Sequence, residues 1–546
     1  MMRDLRRLAD TKFDLIVVGA GFYGVTVAWD AAQRGLAVAI IDKDDFGAAT
    51  SFNNLKTLHG GLRSLQALNF PQMRLFIRER RALARILPHL VRPLPFVIPT
   101  TRHLKRNSLV VRMGLAINDL VAKDRNEGLA DPGTHLPDSQ ILSKEETLRL
   151  NPVIAPEGVT GGALWYDYQM VSTDRVTLSF LLTAVDAGAT AANYVKANRF
   201  IREGDRVVGV LAEDGLTGQT FDIRGSVVVN CAGPWAASML TDLPQAAQGA
   251  PPPRLSRAMN LVTRKVVGSH ACGSIAGGRY LLIVPWRDVS MLGTSHEAYD
   301  GSPDQLKVSR WDLEAFLKDA REAFPHAGLT TNDVRLIHRG LLPMVSGDGH
   351  NVRLLKESQV VDHGRHGLPG LVSVFGVRYT TARHTAEQAV DAVFRSLGHA
   401  TPPPCRTAET PLLGGSMSHV DNFLKAVLLR DVEGLSTETL RRIATTYGTG
   451  YDRVLQMARD VPALARPLGR GCAVQGAEIH YAARREMALT LGDAVIRRTE
   501  AGAAGHPGTD ALERAAAIMA RAHGWDEWRL RNEVAQVEAF YRLPRD

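Results

Sequence analysis

Cysteine is scarce in this chain, long hydrophobic runs are absent, and no dense basic tract occurs. Each absence removes a class of answer. Only Cys231, Cys272, Cys405 and Cys472 are present, far apart and at no metal-ligating spacing. Buried or inert thiols in a reducing cytosol are expected, not a disulfide framework or a zinc site. No apolar run reaches the roughly 20 residues needed to cross a bilayer. Met1 to Lys12 is charged and lacks an apolar core segment, so no secretory leader is expected. Walker A, nucleophile-elbow and internal-repeat patterns are missing too. The formal net charge is +8, but the basic residues do not form one tract with interleaved aromatics, which argues against nucleic acid. The densest basic cluster holds Arg74, Arg78, Arg80, Arg81, Arg85, Arg92, Arg102, Lys105, Arg106 and Arg112, among Leu, Ile, Val and Phe. It reads equally as a surface lying on anionic lipid and as a solvated basic face.

What is present is informative. With 546 residues the chain is too long for one core, so two or three domains are expected. Phe13 to Val18 reads as a buried strand. Gly19-Ala20-Gly21-Phe22-Tyr23-Gly24 follows, then an alanine-rich helix to Gln33. A second apolar run from Leu36 to Ile41 ends in Asp42. This is a dinucleotide fingerprint in full context. Gly19 allows the tight turn, Gly21 lets backbone approach a pyrophosphate, and Gly24 lets the helix pack on the strand. The helix N-terminus offers free N–H groups to phosphates, and Asp42 is placed to accept hydrogen bonds from a ribose. A glycine turn in an ordinary βαβ unit is the competing reading.

Further along, short strands are expected near 190–196 and 206–211, a buried strand at Ser226–Cys231, and a strand-rich stretch over about 255–295. Leu371–Gly376 reads as a late strand, followed by a helix over 380–397. Pro402-Pro403-Pro404 marks a linker. Beyond Ser416 the pattern is almost entirely helical, with last helices near 477–499, 509–523 and 525–540. A nucleotide-binding fold whose later strands return after long insertions points to FAD rather than NAD. The expected fold class is α/β with an α+β substrate part. It comprises a Rossmann-like FAD-binding domain, an inserted antiparallel-sheet substrate domain and an all-helical C-terminal domain. The oxidoreductase region is placed at 1–400, with FAD-binding segments about 12–65, 170–240 and 350–400 and substrate segments about 66–169 and 241–349. The helical region is placed at 401–546.

Ala49-Thr50-Ser51 followed by Lys56-Thr57-Leu58-His59-Gly60-Gly61-Leu62-Arg63 resembles the signature of the FAD-dependent glycerol-3-phosphate dehydrogenases. Trp165–Met170 before Asp174-Arg175, Asn230-Cys231-Ala232-Gly233-Pro234-Trp235, Ile283–Trp286 with Leu292-Gly293-Thr294, and 477–499 resemble that family as well. The resemblance spans about residues 12–540. It implies oxidation of a glycerol phosphate's secondary alcohol to a ketone, with hydride to the flavin and electrons on to a quinone or oxygen. It implies cofactor contacts from Gly19, Ala20, Gly21, Tyr23 and Gly24, and from Asp42 and Lys43. Thr50, Ser51, Lys56, Leu58, His59 and Gly60 belong to the same set, Lys56 and Thr50-Ser51 reaching the phosphates or the ring. Val195, then Ala232, Gly233 and Trp235, then Gly376, Arg378, Tyr379, Thr380 and Thr381 complete it. A small phosphorylated polyol is the implied substrate. A homodimer and a peripheral station on the inner face of the cell membrane, from the cytoplasmic side, stay open.

The departures from the family fall at the substrate side. Ser64 replaces a tyrosine, Asn260 a histidine, Leu342 an arginine, and Arg378 a lysine. Neutral Asn260 takes no proton at physiological pH. Arg63, Arg353 and Arg378 are the candidate anion contacts, each with a structural or surface arginine as its alternative. His59 is a candidate for orienting the flavin loop or for the base, and Asn260 for a hydrogen bond in the cavity. His338 is either a replacement base or a core histidine, and Arg339 is a possible substitute for the lost arginine. Beside the dehydrogenase reading stand an FAD oxidase of an amine or amino acid, which the wider fold permits, and a flavin-binding protein without catalysis.

Overall fold

The structure is a computed structural model. It describes the chain except residues 66, 104–105, 245–248, 250, 277–278, 350, 431, 433 and 546, and except the side chains of Arg63 and Asn351. Lys105 and the Arg63 side chain, both singled out above, therefore lie outside the described residues.

Two sheets organise the first three-quarters of the chain. At the centre of one, Lys12–Val18 pairs in parallel with Val38–Ile41 on one side and Thr220–Asn230 on the other. Thr190–Ala192 and Leu371–Phe375 extend it in parallel at either end. Gln359–Asp362 closes the second edge antiparallel. Leu15, Ile16 and Val17 have no exposed surface, because both faces of a parallel sheet are covered. One face carries the helix Phe22–Gln33, flanked by Thr173–Asp186 and Ala382–Ser396. The other carries Leu8 of the first helix and the hairpin Val195–Glu203/Arg206–Asp214.

The second sheet runs in the order Asn351–Leu354, Val334–Asp348, Arg254–Arg264, Val289–Tyr299, Arg279–Trp286, Ala271–Ala276, Val91–Thr101, Val159–Met170 and Thr57–Leu58. Its neighbours are antiparallel except Val91–Thr101 with Ala271–Ala276. The helix Arg310–Ala323 buries Leu313, Phe316 and Leu317 against it. The loop after Asp42 links the sheets, since it leaves the first after Ile41 and joins the far edge of the second at Thr57.

Residues beyond Val420 build a further core that includes Leu455, Ile479 and Leu512 and takes in Phe52, Trp286 and Met291 from the earlier region. Two expectations are corrected here. The region is helical but not wholly so, because Pro467–Gly469 and Cys472–Gln475 pair as a hairpin turned by Gly471 at φ 78°. The helix expected over 477–499 is interrupted: it ends at Arg485, Met487 takes φ 56°, and Asp493–Arg498 forms a π-helical turn. Long-range charge explains the break. Buried Arg175 holds the Glu486 carboxylate (Nη2 at 3.2 Å), and Asp493 accepts the N–H groups of Leu489 and Thr490 to start the new turn.

The basic cluster of residues 74–125 is largely exposed, with only Arg80 and Arg125 buried among its described arginines, but part of it is paired off. Arg74 and Arg81 share Asp124, Arg80 pairs with buried Asp167, and Arg125 bonds the Leu136 carbonyl at 3.1 Å. Arg92, Arg102, Arg106 and Arg112 are exposed. The last three flank or lie on the helix Ser108–Val121, whose outer face shows Leu109, Met113 and Leu120, each more than half exposed.

Candidate active site

The fingerprint turn is shaped by packing on every side. Gly19 sits at φ 97°, and a Cβ there would lie 2.5 Å from the Cys231 carbonyl oxygen. At Gly24 it would lie 1.8 Å from the Gly19 oxygen. At Gly21 it would meet Ser51 Oγ at 3.1 Å, so this is the glycine that keeps the approach to the helix N-terminus open. Ser51 Oγ accepts the Phe22 N–H at 2.8 Å, and Asp42 accepts the N–H of fully buried Ala20 at 2.6 Å and that of Asp44 at 3.0 Å. Burial, reinforced by the charges of Asp44 and Asp45, pushes the Asp42 carboxyl up to about 7. A carboxylate so destabilised is receptive to hydroxyl donors. On the far side of the crevice Gly233 takes φ 55° after Ala232. Trp235 Nε1 donates to Asp304 at 2.9 Å, and Lys43 lies 3.9 Å above the Trp235 ring while pairing with the same Asp304. A cavity of about 320 Å³ opens beside this group, lined by Thr50, Trp235, Leu306, Arg339, Arg497 and Tyr541.

Four expected contacts face elsewhere. The Lys56 ammonium is fully buried, donates to the Phe52 carbonyl and to Thr173 Oγ1, both at 2.8 Å, and lies against the Phe52 and Trp286 rings. Burial lowers it to about 8, opposed by the Asp174 carboxylate. Leu58 and Val195 likewise have no exposed surface and serve the two cores. Thr50 Oγ1 exchanges hydrogen bonds with the Leu341 N–H and carbonyl, both 3.2 Å, so it covers the free edge of the Val334–Asp348 strand. The local pattern gives no sign of these directions, because tertiary partners set them.

Arg378, a candidate anion contact, is held by several partners. Its Nη1 donates to the Lys356 carbonyl at 2.6 Å, and its guanidinium lies 5.1 Å from the Phe76 ring centre. Gln72 Nε2 reaches the same carbonyl at 3.2 Å, and Ser64 Oγ donates to Gln72 Oε1 at 3.0 Å. The Tyr23 hydroxyl accepts the N–H groups of Val377 and Arg378 at 3.1 and 3.0 Å. Gly376 must be glycine because a Cβ would fall 2.3 Å from the Tyr23 ring. Tyr379 stacks on Phe22 at 3.5 Å and donates to the Thr173 carbonyl, while Thr380 is buried and Thr381 opens the helix Ala382–Ser396. Arg353 is exposed on the Asn351–Leu354 strand opposite Ser346. Arg339 is exposed beside the cavity, and its N–H donates to Asn53 Oδ1 at 3.2 Å.

His59 is half exposed, with Nδ1 3.5 Å from Asp167 and Nε2 3.0 Å from Thr57 Oγ1. Asp167 also accepts the Gly60 N–H at 2.7 Å and pairs with Arg80. A Cβ on Gly60 would lie 2.1 Å from Arg80, so this glycine makes room for the ion pair. Asp167 escaped the sequence reading, although a carboxylate inside the apolar strand Val159–Met170 was the available signal. Asn260 is buried, and its Oδ1 accepts the Thr294 hydroxyl at 2.7 Å. His338 faces it across the sheet in register. Its ring is fully buried, neither nitrogen has a hydrogen-bond partner within bonding geometry among the described residues, and burial with Lys56 nearby holds its pKa well below the usual range. It is a neutral core imidazole in these surroundings.

Against known proteins this arrangement has a consistent match. Residues 14–392 match the protein family described as FAD dependent oxidoreductase, and residues 405–530 match the C-terminal domain of alpha-glycerophosphate oxidase. The chain is 29% identical over 516 residues to a glycerol-3-phosphate dehydrogenase of Synechocystis sp., covering 91% of this chain and 90% of that one. It is 29% identical over 540 residues to glycerol-3-phosphate dehydrogenase 2 of Mycobacterium tuberculosis, covering 98% and 89%. The crystal structure of the glycerol-3-phosphate dehydrogenase from Bacillus halodurans complexed with FAD superposes with a TM-score of 0.77 at 25% identity, covering 98% of this chain and 95% of that one.

The described residues suit such a cofactor. Gly21 leaves an open approach to a helix N-terminus without a side-chain cap from its own N-cap residue. The Asp42 carboxylate, destabilised by burial, suits hydroxyl donors. When bound, FAD supplies the hydride acceptor, and the chain supplies position and charge. Because the match runs from the first strand of the fingerprint sheet to the helix behind Arg378, this chain belongs to the FAD-dependent oxidoreductases.

Proposed function

We propose that the protein oxidises the secondary alcohol of sn-glycerol 3-phosphate, or of a related polyol phosphate, to the ketone, and passes the electrons to a quinone or another acceptor. The observation that carries this reading is the tandem match of both regions, 14–392 and 405–530, in one chain of the same layout as dehydrogenases named for that substrate. In it the oxidoreductase region is 1–400 and the helical region 401–546. Arg378, with Arg63 and Arg353, holds the phosphate dianion through charge-assisted hydrogen bonds. His59, oriented by Asp167, stands at the start of the same loop, and Asn260 presents its amide N–H to the substrate oxygen. Anaerobic mixing with glycerol 3-phosphate tests it: flavin absorbance near its visible maximum should bleach without an added acceptor. Flavin that stays oxidised with glycerol 3-phosphate and with every related polyol phosphate would overturn the proposal.

One observation favours a second reading, oxidation of an amine or amino acid. The Asn260 carbonyl is already engaged by Thr294, leaving a donor and no base. A neutral amine can give up a hydride without a base of that kind. Bleaching by amines alone would select it.

We further infer that the exposed apolar face of Ser108–Val121, with Arg102, Arg106 and Arg112 around it, rests on an anionic membrane surface. Binding to phosphatidylglycerol vesicles should fall as salt rises. Absence of binding at low salt would remove the inference.

A further inference from the structure

The helical C-terminal region grips the segment that carries Asp42. Asp45, three residues on, is buried, and its carboxylate accepts from Arg497 Nε at 2.6 Å and from Arg498 Nη1 and Nη2 at 2.7 and 2.6 Å. Asn193 Nδ2 adds a bond at 3.0 Å and donates equally to the Met487 carbonyl. Arg497 also donates to Asp493 at 2.7 Å, and Asp493 accepts the Tyr194 hydroxyl at 2.7 Å. The next turns of backbone complete the tie, with the Tyr194 N–H on the Asp44 carbonyl at 3.1 Å and the Val195 N–H on the Asp42 carbonyl at 2.7 Å. Asp45 and the 193–194 turn that bonds the Asp42–Asp44 backbone are thus both fastened to residues 487–498, across the boundary between the two matched regions.

The chemistry of the cluster is that of a latch. Asp45 and Asp493 balance Arg497 and Arg498, so the buried group is neutral as a set. Removing one member leaves an uncompensated charge in the interior, which costs far more than the intact pairs contribute. The π-helical turn Asp493–Arg498 presents the two arginines side by side to one carboxylate. The loop they hold continues directly to Ser51, which bonds the first N–H of the fingerprint helix. Ser51 thus ties the loop to that N-terminus, and the frequency with which the loop lifts is a local opening free energy.

We propose that Asp45, Arg497 and Arg498 form a latch by which the C-terminal helices hold the 43–57 loop over the cofactor, making them positioning residues for FAD retention. The inference rests on the FAD assignment and is independent of which substrate is oxidised. FAD release from the holoprotein, followed by recovery of flavin fluorescence after dilution, is the readout, alongside melting temperatures with and without FAD. R498M is expected to release FAD at least tenfold faster than wild type and to narrow the gap between holo and apo melting temperatures. R442M breaks a buried pair inside the C-terminal region, Arg442 with Glu478. It should lower both temperatures together and leave release unchanged. R497K, which keeps the charge and loses one of two bonds, should fall between wild type and R498M. The latch is overturned if R498M releases FAD at the wild-type rate, or no faster than R442M at matched apo stability. If R498M does not fold, R497K decides by the same measurement, and release at the wild-type rate overturns the proposal. A chain that binds no flavin at all would instead sink the FAD assignment.

Discussion

The cofactor crevice and the substrate-facing rim are made of different materials. The crevice is built from backbone at close quarters: Gly19 against Cys231, Gly24 against Gly19, Gly21 against Ser51. The rim is built from side chains steered by distant partners, such as Arg378 on the Lys356 carbonyl, Ser64 on Gln72 and Asn260 on Thr294. Backbone contacts tolerate almost no change, whereas side chains can be exchanged at the cost of a hydrogen bond.

The strongest way to break this contrast is at Gly24. Gly24→Ala puts a Cβ 1.8 Å from a backbone oxygen, and overpacking of this kind costs about 3 kcal/mol or more. The purified protein should be colourless or unfolded, as read by flavin absorbance and thermal melting. A yellow, wild-type-like Gly24→Ala protein would show that the crevice is not tightly built. On the rim, Arg378→Met should keep its flavin but lose about 1.5–3 kcal/mol of charge-assisted bonding, a fall of roughly ten- to a hundredfold in kcat/KM for a polyol phosphate. Arg378→Lys should recover part of it.

A pH series sharpens the comparison further. Hydroxyl donors favour the ionised Asp42, so FAD binding lowers a pKa that stands at about 7 without them. Affinity should therefore be full above pH 7 and weaken as pH falls below it, by up to about tenfold per unit. Titration of apoprotein with FAD between pH 8 and 5.5 measures this, and Asp42→Asn should bind more weakly with a flat profile. The smallest effect is expected at Ser64→Ala. It removes one neutral hydrogen bond behind Arg378, about 1 kcal/mol, and should raise KM severalfold with kcat little changed.

Legibility follows the same division. The strand, glycine turn, helix and acid of residues 13–42 were readable because one βαβ unit carries them together and the covered faces of a parallel sheet demand apolar strands, although Cys231 and Ser51 press on Gly19 and Gly21 from outside that unit. The strands over 254–299 and the late strand Leu371–Phe375 were readable from apolar runs. Lys56 was not. Its sequence neighbours suggest a cation for phosphate, but Thr173 and the Phe52 and Trp286 rings draw it inward. Nor was the break at Glu486 readable, since the apolar spacing of 477–499 continues through it and only Arg175 reveals the cause. Within the basic stretch of 74–112, the pairing of Arg74, Arg80 and Arg81 with Asp124 and Asp167 was not readable, because those carboxylates lie 43 to 87 residues away.

By itself the sequence determined a dinucleotide-binding α/β region with interrupted strands and a helical tail. Local backbone sterics and hydrophobic period carry that information. Tertiary structure alone decided which cations face the crevice and which are consumed in the interior, and that the tail is fastened to the Asp42 loop. A charged side chain's direction depends on partners hundreds of residues away, and no local pattern encodes them.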